Sequence, residues 1–470
     1  MSNISEKSPK LAESLSNRQI GMITIGGIIG AGLFIGSATA IQTAGPAIII
    51  SYALTGLLVF LVMRMLGEMA VIQPDSGSFS TYASTAIGPW AGFTIGWLYW
   101  WFWVLIIPVE AIAGAEILHT YIPSIPSWGF AVAIMFVLTL SNLMNVKNFG
   151  EFEFWFALIK VVAIIAFIIV ALMAVFGFWP LADVSGVSNL YQSGGFMPNG
   201  FGAVLTGILI TIFSFFGAEV VSIAAAESKN PQEKIRKATN LVIYRIALFY
   251  LLSIFLVVAL VDWKSPGLVE MGTFQYVLSV LNVPGTKIII DFVVFVAVCS
   301  CMNTGIYIAS RMLFSLGTRN DAPKAVTNVT KTGVPKIAVL ASSVAGFVGC
   351  YANYAFPGQV FSFLLSTTGA IALMVYLVIA VTQLRMRTQM EQNGVFPQFK
   401  MWLFPWLTWI VIFAILAVLG YMFISPNFRY ETFLTLGVTT FILALSLIVT
   451  RKRITLKPWI INKNKDLNQI

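Results

Sequence analysis

Histidine occurs once in this 470-residue chain, at His119, and cysteine three times, at Cys299, Cys301 and Cys350. A single histidine excludes His-based metal clusters, and its place at the edge of an apolar run leaves a Ser/His/Asp triad without a workable base. The cysteines lie in or beside apolar runs without metal-ligand spacing; they suggest neither a disulfide framework nor a zinc site and read as small buried side chains. Charge is also scarce. Only 10% of residues are charged and 58% are hydrophobic, against about a quarter charged in ordinary soluble domains. Water cannot solvate such a surface. No long polar linker interrupts the chain between Gln19 and Arg451, so one membrane domain is expected rather than a string of soluble ones. No catalytic cluster stands at either membrane face and no cofactor motif is present, so an enzyme is not expected. The net charge of +9 is spread over short loops instead of one basic domain, which fits membrane topology and not nucleic-acid binding.

What the chain does have is apolar length. A bilayer core of about 30 Å needs about 20 apolar residues in a helix, and such runs recur at 20–42, 45–72, 89–118, 127–147, 153–177, 202–227, 239–262, 288–316, 337–355, 357–382, 402–424 and 431–450. These twelve spans predict an all-α integral membrane protein. The polar segment Met1–Arg18 lacks the apolar core and small-residue site of a cleaved signal, so residues 1–19 read as a cytoplasmic tail. Of the 28 Lys and Arg residues, only Lys264, Lys287 and Arg429 fall in loops that an inward N-terminus places outside. Both termini, including the tail 451–470, are therefore expected in the cytoplasm, with membrane lipids around the spans.

The first five spans (20–177) and the next five (202–382) form blocks of similar length. Five is odd, so the second block enters the membrane with opposite orientation, which predicts an inverted repeat. Spans eleven and twelve (402–450) stand outside it and read as lateral packing or homodimer contacts. The first span of each block carries helix breakers: Gly26, Gly27, Gly30, Gly32 and Gly36 in one, and Gly217 beside Ser214, Ala218 and the intramembrane acid Glu219 in the other. Glycine costs about 1 kcal/mol per helical position relative to alanine. Paired interruptions of this kind point to a substrate site at mid-membrane.

In the first break, Ile28, Ile29, Gly30, Ala31 and Gly32 either let two helices pack closely through small residues or form an unwound turn whose amides hold an anionic carboxylate. In the second, carbonyls around Ser214, Phe215, Phe216 and Gly217 are placed to accept from a substrate ammonium, with Phe216 as an aromatic cover. Glu219 is either a coupling acid or a partner for freed backbone amides. Lys160, two turns inside span five, either snorkels or acts as a built-in cation bridging spans one and eight. Glu110, two residues after Pro108, is a candidate proton carrier or a structural acid. In span eight, Ser300, Asn303, Thr304, Tyr307, Ser310 and Arg311 share one face, which should meet an aqueous path or another helix, with Arg311 assigned to the cytoplasmic end. Arg64 and Glu68, four apart, read as a local ion pair. The cluster Trp97, Tyr99, Trp100, Trp101 and Trp103 reads as packing or interface anchoring.

At these residues the sequence resembles the amino acid–polyamine–organocation superfamily, and within it the bacterial amino-acid permeases. The resemblance runs from about Leu15 to Arg453. It is carried by Ile29-Gly30-Ala31-Gly32-Leu33-Phe34, Gly45-Pro46, Gly67-Glu68-Met69-Ala70, Gly77-Ser78-Phe79-Ser80-Thr81-Tyr82-Ala83, Gly96-Trp97, Phe216-Gly217-Ala218-Glu219 and Glu227-Ser228-Lys229-Asn230-Pro231, in that order. The segments 97–103, 148–155 and 193–200 look most like the GABA-type branch. The resemblance implies a five-plus-five inverted-repeat fold of the LeuT type, with broken first and sixth helices. It further implies proton-coupled symport of GABA or a similar small zwitterion across the bacterial inner membrane. Substrate would lie in the helix breaks, with Lys160 where sodium-coupled relatives hold an ion and Glu110 on a family acid. A permease for aromatic or other α-amino acids, and a transporter-like nutrient sensor, remain the alternatives.

Overall fold

The computed structural model describes residues 16–26, 29–30, 32–181, 184–226, 230–356 and 359–451. Every regular element among them is helical. The chain opens with α1 (Asn17–Gly26), a π-turn (Gly32–Gly36) and α2 (Ser37–Ala44), then α3 (Ile48–Ile72), α4 (Ser78–Ala86), α5 (Pro89–Tyr121), α6 (Ser127–Met144) and α7 (Val146–Val175). A short α8 (Asn189–Gln192) precedes α9 (Gly200–Phe215), α10 (Val220–Ala226) and α11 (Pro231–Arg245); a second π-turn (Ile246–Leu252) joins α11 to α12 (Ser253–Leu260). There follow α13 (Gly267–Met271), α14 (Thr273–Val280), α15 (Thr286–Thr318), α16 (Lys336–Ala355), α17 (Gln359–Gln392), α18 (Trp406–Ile424) and α19 (Pro426–Thr450).

Among the described residues, ten helical stretches are long and apolar enough to cross a membrane. The chain is a multi-pass, all-α membrane protein. The described helices overlap the twelve apolar ranges, with several differences, among them α7 and α19, which start seven and five residues ahead of theirs. Spans one and six are each two helices with a break between them. Span seven is longer than its apolar run and passes through a π-turn. Span ten continues to Gln392, ten residues past its apolar stretch, and this extension carries Arg387, the buried partner of Glu68. The connectors also contain α4, α8, α13 and α14, which are too short and too polar to register as spans.

The interior is built on α5, which packs along α15, α6, α4, α16 and α17. In the most apolar window of α5, 72% of residues are buried, against 28% in α18 and 17% in α19. The last two helices therefore lie at the periphery. Small residues set the close approaches: a Cβ on Gly92 would come within 2.7 Å of the Ser80 carbonyl oxygen on α4. Local signals place the helix starts. Pro89 sits at the first turn of α5, where its missing amide costs nothing, and the Asn145 side chain caps α7 by accepting from the Asn148 amide at 2.7 Å.

Two hydroxyl pairs join elements near the breaks. Ser37 Oγ lies 2.7 Å from Thr273 Oγ1 between α2 and α14, and Ser78 Oγ lies 2.7 Å from Ser222 Oγ between α4 and α10. Beside α4, Arg319 donates to Ser80 Oγ and Thr81 Oγ1, both at 2.7 Å. Burial pushes its guanidinium below the ordinary arginine range, with Asp321 opposing that shift.

One sequence expectation, the local ion pair of Arg64 and Glu68, is corrected. Glu68, fully buried on α3, accepts from Arg387 Nη1 at 3.0 Å, Gln383 Nε2 at 3.1 Å and the Met401 amide at 2.6 Å. Arg64 turns aside, donating to the Lys400 carbonyl and lying over the Phe399 and Trp402 rings. A carboxylate removed from water needs an equally buried partner, which Arg387 is and Arg64 is not. Arg311, in the last two turns of α15, is buried, with its guanidinium 3.9 Å over the Tyr307 ring, itself stacked on Phe149.

Candidate functional site

The first break begins where α1 ends at Gly26. Ile28 and Ala31, two of the expected site residues, lie outside the described residues, as do Gly27 and Glu227-Ser228-Lys229. Ile29 and Gly30 are non-helical, and the Leu33 amide donates to the Gly30 carbonyl at 3.3 Å. The second break opens after Phe215, and Gly217 has φ +106°, a conformation that only glycine adopts at low cost. The two breaks meet: Ser214 Oγ donates to the Gly32 carbonyl at 3.0 Å. The Ser214 carbonyl in turn accepts from the Tyr250 hydroxyl at 2.8 Å.

Aromatic rings wall this meeting point. Phe215 is fully buried and stacks on Tyr250, with centroids 4.4 Å apart. Phe216 lies against Phe102 at 4.1 Å, with Tyr99, Trp103 and Tyr376 around it. The tryptophan-rich segment of α5 is thus mainly packing. Trp97 and Trp100 spend their indole N–H groups on the Asp321 carbonyl and Ser342 Oγ.

Lys160 does not snorkel. It is fully buried on α7, and its ammonium donates to the Ile29 carbonyl at 3.0 Å and to Ser300 Oγ at 2.7 Å. One cation therefore bridges the first break to α15. Ser300 passes its own proton to Glu153, which Asn303 Nδ2 also approaches at 3.5 Å. Asn303 Oδ1 accepts from Asn142 on α6 at 2.9 Å. The polar face of α15, Thr304 included, is buried; it meets α6 and α7.

Glu110 is 2% exposed, and no hydrogen bond reaches its Oε2. A Cβ on Gly30 would lie 3.7 Å from Glu110 Oε1 and 3.5 Å from Cys301 Sγ, so the acid faces the first break directly. Lys160 is its electrostatic partner. Glu219 is placed differently. One of its oxygens accepts from the Gly217 amide at 3.1 Å and the other from the Tyr99 hydroxyl at 2.9 Å, so it brackets the second break from within.

The structure thus gathers Ile29, Gly30, Gly32, Ser214, Phe215, Phe216, Gly217, Glu110, Lys160, Ser300 and Asn303 around two apposed breaks. It adds Glu153, Tyr250 and Cys301, which the sequence reading missed. Glu153 carried a signal: it precedes Lys160 by seven residues, two helical turns on the same face.

Two interrupted helices that meet through Ser214 and Gly32, the first of them tied by a buried lysine to α15, inside an all-helical membrane protein, define the class as a membrane permease. The amino acid permease family model matches residues 19–467, and the chain belongs to that family. It is similar to a probable GABA permease of Pseudomonas aeruginosa, 55% identical over 449 residues covering 95% of this chain and 94% of that one. It is 54% identical over 441 residues to the gamma-aminobutyric acid permease of Escherichia coli (strain K12), covering 94% of each. An aromatic amino acid transport protein of Corynebacterium glutamicum is 37% identical over 444 residues, covering 93% of this chain and 95% of that one.

Proposed function

We propose that the protein is a proton-coupled importer of GABA or a similar small zwitterionic ω-amino acid, working by alternating access in the bacterial plasma membrane with both termini cytoplasmic. The observation that carries this reading is the apposition of the two breaks through Ser214 and Gly32, with Lys160 holding the first of them to α15. The substrate carboxylate rests on backbone amides of the first break, near Ala31 and Gly32. The ammonium rests on carbonyls at Ile28 and Phe215, and Phe216 covers the site. Lys160 stands as a fixed cation, so no sodium ion is needed there.

Between the two candidate acids, the hydrogen bonding favours Glu110 as the proton carrier. Glu219 has both oxygens engaged by Gly217 and Tyr99, whereas Glu110 Oε2 has no partner and the carboxyl faces Gly30. A substrate carboxylate at Gly30 would lie beside a second carboxylate unless Glu110 were protonated. Substrate and proton then bind together, which is the physical basis of symport. The greater identity to relatives named for GABA than to the one named for aromatic amino acids supports the substrate class. The blocks 20–177 and 202–382 are read as inverted halves whose first helices supply the two breaks, and the peripheral α18 and α19 as surface for lipid or a second copy.

Proteoliposome uptake of labelled GABA tests this. Accumulation is expected under an imposed inward proton gradient and unchanged by a sodium gradient; strict sodium dependence overturns the reading of Lys160. Competition by aromatic amino acids stronger than by GABA itself would favour the second substrate class, and saturable binding without accumulation would favour a sensor.

A further inference from the structure

Lys160 is shared by two acids. Glu110 approaches from α5 and Glu153 lies on α7 itself, and each is in electrostatic contact with the ammonium. A buried cluster of one cation and two carboxylates carries a net negative charge unless one acid holds a proton, and an unbalanced buried charge is expensive. The hydrogen bonds differentiate the two acids. Glu153 accepts from Ser300, whose hydroxyl accepts in turn from Lys160. A hydroxyl has one proton to donate and lone pairs to accept; the order Lys160 to Ser300 to Glu153 uses both and fixes the ammonium as donor and the Glu153 carboxylate as acceptor. Asn303 approaches the other oxygen of Glu153 and is itself held by Asn142. The lysine side chain, tilted toward the N-terminal end of α7 as helical side chains are, reaches back toward Glu153. Glu110 has no such bracing on Oε2.

We infer that Glu153 is the permanent counter-ion of Lys160, a positioning residue that cancels the built-in cation and so leaves Glu110 the one acid of the cluster free to gain and lose a proton. The titratable groups facing the cluster are Glu110 of α5, Glu153 and Lys160 of α7, and Cys299 and Cys301 of α15, with Tyr250 in electrostatic contact with Cys301. Glu153 is the foremost of the groups that act on the Lys160 ammonium, ahead of Cys301 and Glu110. Without Glu153, Lys160 must draw its balancing charge from Glu110, which then stays ionised at neutral pH and cannot carry a proton.

This inference rests on Glu110 as the proton site, and the test separates the two. In proteoliposomes, E153Q is expected to accumulate GABA at less than a tenth of the wild-type level at pH 7, while exchange of internal for external GABA falls far less. Accumulation by E153Q returns when the external pH is lowered by roughly 1–3 units, the shift an uncancelled neighbouring cation imposes on a carboxylate. E153D, which keeps the charge, restores much of the wild-type profile. A merely structural Glu153 would lower protein yield and thermal midpoint without moving the pH profile, and an E153Q profile superimposable on wild type overturns the inference. Where E153Q does not insert stably, K160M, which strands the Glu153 carboxylate, is expected to lower the thermal midpoint and E153Q/K160M to recover it; a double variant no more stable than K160M overturns the inference equally. If wild-type accumulation is itself indifferent to the proton gradient, the proton-coupled reading fails instead.

Discussion

At the scale of single residues, the second break depends on Gly217. Its φ of +106° lies in the region that a Cβ penalises, and its amide is bonded to the side chain two residues ahead. Replacing it with alanine brings steric strain of about 1–2 kcal/mol and pulls the turn toward continuous helix. Gly217→Ala is therefore expected to lower the thermal midpoint of the purified protein by a few degrees. It should reduce GABA uptake disproportionately, by tenfold or more, because the carbonyls that the break frees are those assigned to the substrate. Uptake corrected for the amount of folded transporter is the deciding measurement, and undiminished uptake would mean that the break is not part of the site.

At the scale of elements, the tie among α3, α17 and the segment leading to α18 passes through Glu68. Its carboxylate is out of water and paired with Arg387, which is itself only 5% exposed. Removing one member of a buried pair costs about 3–5 kcal/mol, and removing both costs far less. R387M is expected to be strongly destabilised in thermal melting and R387M/E68Q to recover a substantial part of the loss. Equal destabilisation of the single and double variants would show that the pair carries no such coupling. This tie also marks a limit of what the chain could reveal. The spans were legible because apolar length is a local property, and the two breaks because glycine announces itself wherever it stands. Lys160 was legible as an anomaly, a charge in an apolar run. The partner of Glu68 was not: Arg64 satisfied the i, i+4 rule, while Arg387 lies 319 positions away and only the packed bundle decides between them. Glu153 was hidden for a related reason. It lies near the start of α7, where an acid looks like an ordinary helix end, and its burial is created by α15 and α6.

At the scale of the whole molecule, topology is the least local claim and rests on the arrangement of Lys and Arg about the spans. If both termini are on the cytoplasmic side, as proposed, a C-terminal fluorescent-protein fusion is expected to be bright and a C-terminal alkaline phosphatase fusion inactive. An active phosphatase would reverse the orientation and, with it, the direction assigned to import. Burial is greatest in the apolar windows of α5 and of the stretch 32–72 and least in α18 and α19, so the first break adjoins well-buried helices while the last two are the most exposed of the ten apolar stretches. The full burial of Lys160, Glu153 and Ser300 gives that polar cluster its low-dielectric surroundings, where one uncancelled charge weighs more than it would at a surface.

The hydroxyl pairs Ser37–Thr273 and Ser78–Ser222 have a bearing on energetics. A neutral hydrogen bond of this kind is worth only about 1 kcal/mol net, roughly a fivefold bias in population. In the alternating-access reading proposed above, contacts of this strength leave a bound solute only a comparable amount to supply in order to choose which side stays shut.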